Sequence, residues 1–188
     1  MIDILPPLNK WWGEFRKRMA EKGIENYRAL SLDIMHSKCQ AFDLTHSSGI
    51  LYHCPNPIQY LQALRSVTRE HCIMTTASIP HKIQNSAGVL ELTGGEVIFV
   101  PTMTDMQKAV FTEHYARKNR SPIWGINKPY KFDDTDYTPW WWLFTETALV
   151  GMAESAGWVV EDVRPNWGGR AHTMLLKNSG RVDGVTVG

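Results

Sequence analysis

Tyr52 and His53, side by side, and the run Trp140-Trp141-Trp142 are the residues whose types and spacing could do chemistry in this chain. A histidine titrates near neutral pH, so His53 is a candidate general base and therefore a candidate catalytic residue. The competing reading is that His53 packs against the following helix or caps it. Tryptophan needs an acceptor for its indole N–H, so a cluster of three belongs in a pocket, a core or an interface. Trp140, Trp141 and Trp142 are therefore candidates for substrate binding, with core packing as the alternative.

Other reactive types point nowhere in particular. Asp133, Asp134 and Asp136 could suggest a metal, but alternating acids in a proline-bounded loop read as solvated. His36, His46, His71, His81, His114 and His172 have no ligand-like spacing. Cys39, Cys54 and Cys72 contain no CxxC pair, so neither a zinc ribbon nor a redox dithiol is indicated. No metal site is expected, and three free thiols suit a reducing cytoplasm.

The elements that must position these residues come from a chain of 188 residues, a length for one domain, 43% hydrophobic and 21% charged. A net charge of +1 gives no global attraction to nucleic acid or to a membrane. The basic clusters Arg16-Lys17-Arg18 and Arg117-Lys118 with Arg120 read as solvated helix faces. No apolar run is long enough for a membrane span, and no signal peptide is recognised.

Trp11, Trp12, Phe15 and Met19 have helical spacing over residues 9–22, with Gly23 as the stop. Strands are expected over Tyr27–Asp33, Ala41–Ser48 and Cys72–Ile79. Asn56-Pro57 opens a helix, since asparagine caps free amides and proline has no N–H to leave unpaired at the first position. Val89–Val100 reads as a hairpin turning at Gly94-Gly95, and Thr104–Lys118 as a helix. Thr145 caps a helix to Ala156 with Gly157 as its stop. Strands follow at Trp158–Arg164 and Ala171–Lys177, and the tail, residues 179–188, is expected to be flexible. This alternation predicts an α/β sheet covered on both faces.

The stretch Phe42-Asp43-Leu44-Thr45-His46-Ser47-Ser48-Gly49-Ile50-Leu51-Tyr52-His53 carries the pattern FDxxxxxGxLYH, followed by the proline-bearing helix start Cys54-Pro55-Asn56-Pro57. It resembles the fourth strand and following loop of class I S-adenosylmethionine-dependent methyltransferases. The Trp141-Trp142-Leu143-Phe144-Thr145 to Gly157-Trp158 segment resembles a subgroup that includes tRNA wobble-uridine methyltransferase-like proteins. The resemblance implies a Rossmann-like sheet, mostly parallel with an antiparallel last strand, and S-adenosylmethionine as cofactor. It covers most of the chain except the insertion; residues 1–178 are expected to form one domain, with residues 80–139 as an insertion acting as a substrate lid.

The same resemblance implies site residues. Asp3 matches the carboxylate that holds the ribose hydroxyls, and Asp33 the one that binds the adenine amine. Ile34 and Met35 would flank the adenine, and Ser47, Ser48 and Gly49 would pass beside the methionine end. Tyr52 and His53 would stand where the acceptor meets the methyl group, where an aromatic face also favours the sulfonium charge. The family's first strand, first helix and GxGxG loop have no counterpart here, since a βαβ unit needs roughly 30 residues or more. Impaired activity is one expectation from that gap. A non-catalytic binding module, a homo-oligomer, or a partner chain completing the sheet are others. The acceptor is expected to be a small molecule or an RNA base. DNA is not expected, because neither the proline–cysteine signature of cytosine-ring methylation nor the proline motif of exocyclic-amine methylation is present.

Overall fold

A computed structural model describes residues 2–3, 10–36, 38–116, 125–126, 131–132 and 138–180. The acidic run at 133–136, the basic cluster at 117–120 and residues 181–188 of the tail lie outside the described residues. The chain divides into two compact units, residues 1–40 and residues 41–188.

In the first unit, β1 (Ile2–Asp3) and β2 (Leu30–Ser31) form a parallel pair, with Asp3 opposite Ser31. Between them runs α1 (Lys10–Glu21). Trp12 is its buried anchor, and Phe15 meets Trp12 and Tyr27 edge-on at 6.3 and 5.2 Å. The helix stops where Gly23 turns left-handed at φ 63°. There Gly23 N–H donates to Ala20 and Ile24 N–H to Met19, so the last turn satisfies its own carbonyls. Arg16, Lys17 and Arg18 are exposed, as a solvated face requires. Trp11, 59% exposed, lies under the Lys10 ammonium at 5.1 Å. The strand expected over Tyr27–Asp33 shortens to Leu30–Ser31 because the chain enters a turn at Asp33, whose carboxylate accepts from Met35 N–H at 2.8 Å.

The second unit is built on a four-stranded sheet. Its strands are β3 (Phe42–Ser48), β4 (Thr68–Ala77), β9 (Trp158–Asn166) and β10 (Ala171–Asn178), in the order β3-β4-β10-β9. β3 and β4 are parallel, and β10 runs against both β4 and β9. The last strand of the chain is thus the antiparallel one, inserted between β4 and β9. Three of the four strands share one direction, giving the α/β sheet expected from the sequence.

Two helices link these strands. α2 (Pro57–Ser66) begins where Asn56 accepts from Gln59 N–H at 3.2 Å, and it buries Tyr60, Leu61 and Leu64. α4 (Glu146–Ser155) begins at Thr145, and the chain turns left-handed at Gly157, φ 89°. Burial of each such leucine contributes about 1.5–3 kcal/mol. Thr145 is fully buried, accepts from Ala148 N–H at 3.2 Å and donates to the Glu96 carbonyl at 3.0 Å. Thr145→Ala should lower stability by about 1–2 kcal/mol, read as the shift in urea unfolding midpoint at unchanged m-value.

Residues 80–139 do not form the hairpin expected over Val89–Val100. β5 (Lys82–Asn85) pairs with β6 (Gly88–Glu91) across a two-residue turn, where Asn85 Oδ1 accepts from Ala87 N–H at 3.1 Å. β7 (Val97–Phe99) pairs instead with β8 (Trp142–Phe144), antiparallel. Gly94-Gly95 therefore joins strands of two different sheets. α3 (Asp105–Tyr115) follows, started by a reciprocal capping box between Thr104 and Gln107. Ile79, Ile83, Leu90, Val100, Val110, Phe111, Ile126 and Leu143 close a separate apolar core beneath these elements. Among the described residues, no helix is long and apolar enough to cross a membrane.

Candidate functional site

β3 and β4 are parallel, so their carboxyl ends lie together, and this is the end of an α/β sheet where ligands are received. Ser47 is buried at that end and its hydroxyl bonds the Tyr60 hydroxyl at 2.8 Å. Ser48 is exposed. Gly49 donates its N–H to Thr75 O at 2.9 Å and turns left-handed at φ 73°, a conformation that disfavours any side chain. A Cβ there would stand 3.6 Å from the Tyr52 hydroxyl. The strand thus ends in a floor without a side chain, under a phenol.

Leu51–His53 form one turn of 3-10 helix, which carries Tyr52 and His53 back over that floor. Their rings are 4.2 Å apart. Trp140 closes the group, with its ring 4.2 Å from Tyr52 and 6.1 Å from His53. Behind Trp140 stand Phe111 and Tyr115 of α3, at 6.1 and 5.7 Å. Tyr115 donates its hydroxyl to the carbonyls of Ser78 and Arg170. The tryptophan run divides. Trp140 joins Tyr52 and His53, whereas Trp141 and Trp142 group with Phe99 at 6.3 and 4.8 Å, and Trp142 donates its indole N–H to Pro55 O at 3.1 Å.

Burial dominates the electrostatics of this group. Burial raises the Tyr52 phenol above its ordinary value, so it stays protonated at neutral pH and serves as a donor and a wall. Burial also raises Tyr115. Cys72 is pushed up to about 11 by burial, with a smaller opposing effect from its hydrogen bond with Thr45, which leaves it a thiol without nucleophilic character.

His114 is lowered, chiefly by burial and then by the Arg170 charge. Its unfolded chain therefore takes up the proton first, so stability present above pH 6.5 falls as pH drops through and below that value. Thermal melts between pH 8 and 5 should show this decline, and His114→Gln should flatten it.

In the first unit, Asp3 is the last residue of β1 and Asp33 lies two residues beyond β2. The two acids thus fall at the same end of a parallel pair. Asp33 accepts from Met35 N–H, and its second oxygen bonds His36 Nδ1 at 2.8 Å. Ile34 and Met35 are half-buried in the turn that follows. Among the described residues, no group of three or more His, Cys, Asp or Glu could hold a metal.

Several members of the aromatic group were not legible in advance. Phe111, Tyr115, Pro139 and Gly125 lie about 60–90 residues from Tyr52 and give no local signal of proximity. Gly125 gives its carbonyl to Trp140 N–H at 3.1 Å, and a Cβ built on it would overlap the Trp140 indole.

No protein-family model matches the sequence, and no curated protein matches it. Solved structures do match in fold. A 1,6-didemethyltoxoflavin-N1-methyltransferase of Burkholderia thailandensis, with 1,6-didemethyltoxoflavin and S-adenosylhomocysteine bound, aligns over 95% of this chain and 60% of its own, at 14% identity and TM-score 0.51. An O-methyltransferase family 2 protein of Planctomyces limnophilus, in complex with apigenin, aligns over 94% of this chain and 41% of its own, at 13% identity and TM-score 0.54. A S-adenosylmethionine-dependent methyltransferase of Clostridium acetobutylicum aligns over 95% and 74%, at 12% and 0.54. The chain therefore spans about half the length of the first two. The likeness establishes a fold shared with S-adenosylmethionine-dependent methyltransferases.

Proposed function

We propose that this chain transfers a methyl group from S-adenosylmethionine to a small planar acceptor at oxygen or nitrogen. The observation that carries this reading is the group at the carboxyl end of β3, where a side-chain-free Gly49 lies under Tyr52 beside His53 and Trp140. The shared fold supports the reaction class, and the small-molecule ligands of two neighbours support the acceptor class. A net charge of +1 favours a small acceptor over an RNA base.

Within the first unit, taken by itself, we assign Asp3 to the ribose diol and Asp33 to the adenine amine, with Ile34 and Met35 beside the ring. Within the second unit, taken by itself, Ser47, Ser48 and Gly49 are assigned to the methionine end. When bound, S-adenosylmethionine supplies an electrophilic methyl on a sulfonium. Tyr52 and Trp140 give that charge aromatic faces and hold a planar acceptor against them. As the acceptor's new bond to the methyl carbon formed, the carbon–sulfur bond would break with its electron pair left on sulfur as the thioether, and the proton of the acceptor's O–H or N–H would pass to His53.

Hydrogen exchange on the full chain tests these assignments. Adding S-adenosylhomocysteine should slow exchange at residues 30–36 and 47–53. Unchanged exchange at 47–53 under saturating ligand would remove the methionine-end assignment.

A further inference from the structure

We propose that the Pro139 carbonyl is the positioning group for His53, fixing which ring nitrogen accepts the proton. This rests on the reading of His53 as the base. His53 Nδ1 lies 2.9 Å from Pro139 O, across 86 residues of sequence. A carbonyl oxygen only accepts, so the proton of the neutral ring sits on Nδ1 and the lone pair on Nε2. This is the opposite of the tautomer that predominates in free histidine.

The carbonyl is itself held. Pro139 is buried and its φ is set by its ring. The next peptide N–H, of Trp140, donates to Gly125 O at 3.1 Å, and Trp140 is seated against Gly125, where no side chain fits. Trp141 N–H then donates back to Tyr52 O at 2.8 Å. Residues 139–141 are thus stitched to Tyr52 and His53 at two points, one through each residue. The Tyr52 ring packs against the imidazole at 4.2 Å, and Trp140 stands edge-on to it at 6.1 Å. The strap therefore places the lone pair of the neutral ring on Nε2, the nitrogen we assign as the base.

Two measurements on the full chain test this without turnover. Long-range nitrogen–proton NMR of the labelled protein, with His53 assigned by its loss in His53→Gln, should show the Nδ1–H tautomer. Predominance of Nε2–H would overturn the proposal. Asparagine can place its amide donor near the Nδ1 position, and glutamine reaches further, toward Nε2. His53→Asn should therefore melt close to the parent and His53→Gln about 2–4 °C lower. Equal losses in both variants would overturn it as well. Failure of S-adenosylhomocysteine to bind would sink the functional reading while leaving the tautomer result standing, so the two failures are distinguishable.

Discussion

Phe111→Ala should lower the unfolding free energy by about 3–5 kcal/mol, a loss that is large against a total of about 5–15 kcal/mol for a domain. Phe111 is fully buried in the apolar core formed by residues 79–143, and its ring lies 4.5 Å from Tyr115 and 6.1 Å from Trp140. Removing it deletes a large side chain where α3 meets the strap that carries Trp140. The surrounding groups can close the gap only by moving Tyr115, whose hydroxyl is committed to two carbonyls. The cost therefore belongs at the upper part of the range for large-to-small changes. Urea unfolding followed by near-ultraviolet circular dichroism reads both the stability and the aromatic environment. Phe111→Leu, which keeps most of the volume, should lose less than half as much. Equal losses in the two variants would show that volume is not what Phe111 contributes.

If the proposed function holds, His53→Gln should slow methyl transfer by about 10²–10⁴-fold while leaving S-adenosylhomocysteine affinity within about threefold of the parent, the pattern of a residue that moves a proton rather than holds the cofactor. A planar phenol such as apigenin, the ligand of one structural neighbour, is a suitable probe acceptor. Turnover is read as S-adenosylhomocysteine released under single-turnover conditions. An effect below threefold on a probe that the parent methylates would return His53 to a packing role. A matching fall in cofactor affinity would place it in binding instead.

Local signals in the sequence carried the elements whose ends are set by neighbouring residues. Asn56-Pro57 at the start of α2, Thr145 and Gly157 around α4, and Gly23 after α1 each act through backbone groups one to four residues away. The pairing of β7 with β8 was not legible, because partners about 45 residues apart leave no local trace. Gly94-Gly95 looks like a hairpin turn on local grounds alone. The alternating pattern over Tyr27–Asp33 predicts a longer strand than Leu30–Ser31, because the turn at Asp33 outweighs it.

The site divides in the same way. Tyr52 and His53 stand out by type and adjacency, whereas Trp140 separates from Trp141 and Trp142 only once strand pairing decides which ring faces Tyr52. Pro139 contributes only a backbone carbonyl to His53, and side-chain type says nothing about where a carbonyl will point.

The central claim is that this fold binds the methyl donor, and isothermal titration of the full chain with S-adenosylhomocysteine tests it most directly. The account predicts saturable one-to-one binding in the micromolar range, about −8 kcal/mol, weakened at least about tenfold in Asp33→Ala. No heat of binding to folded, soluble protein at millimolar ligand would contradict it.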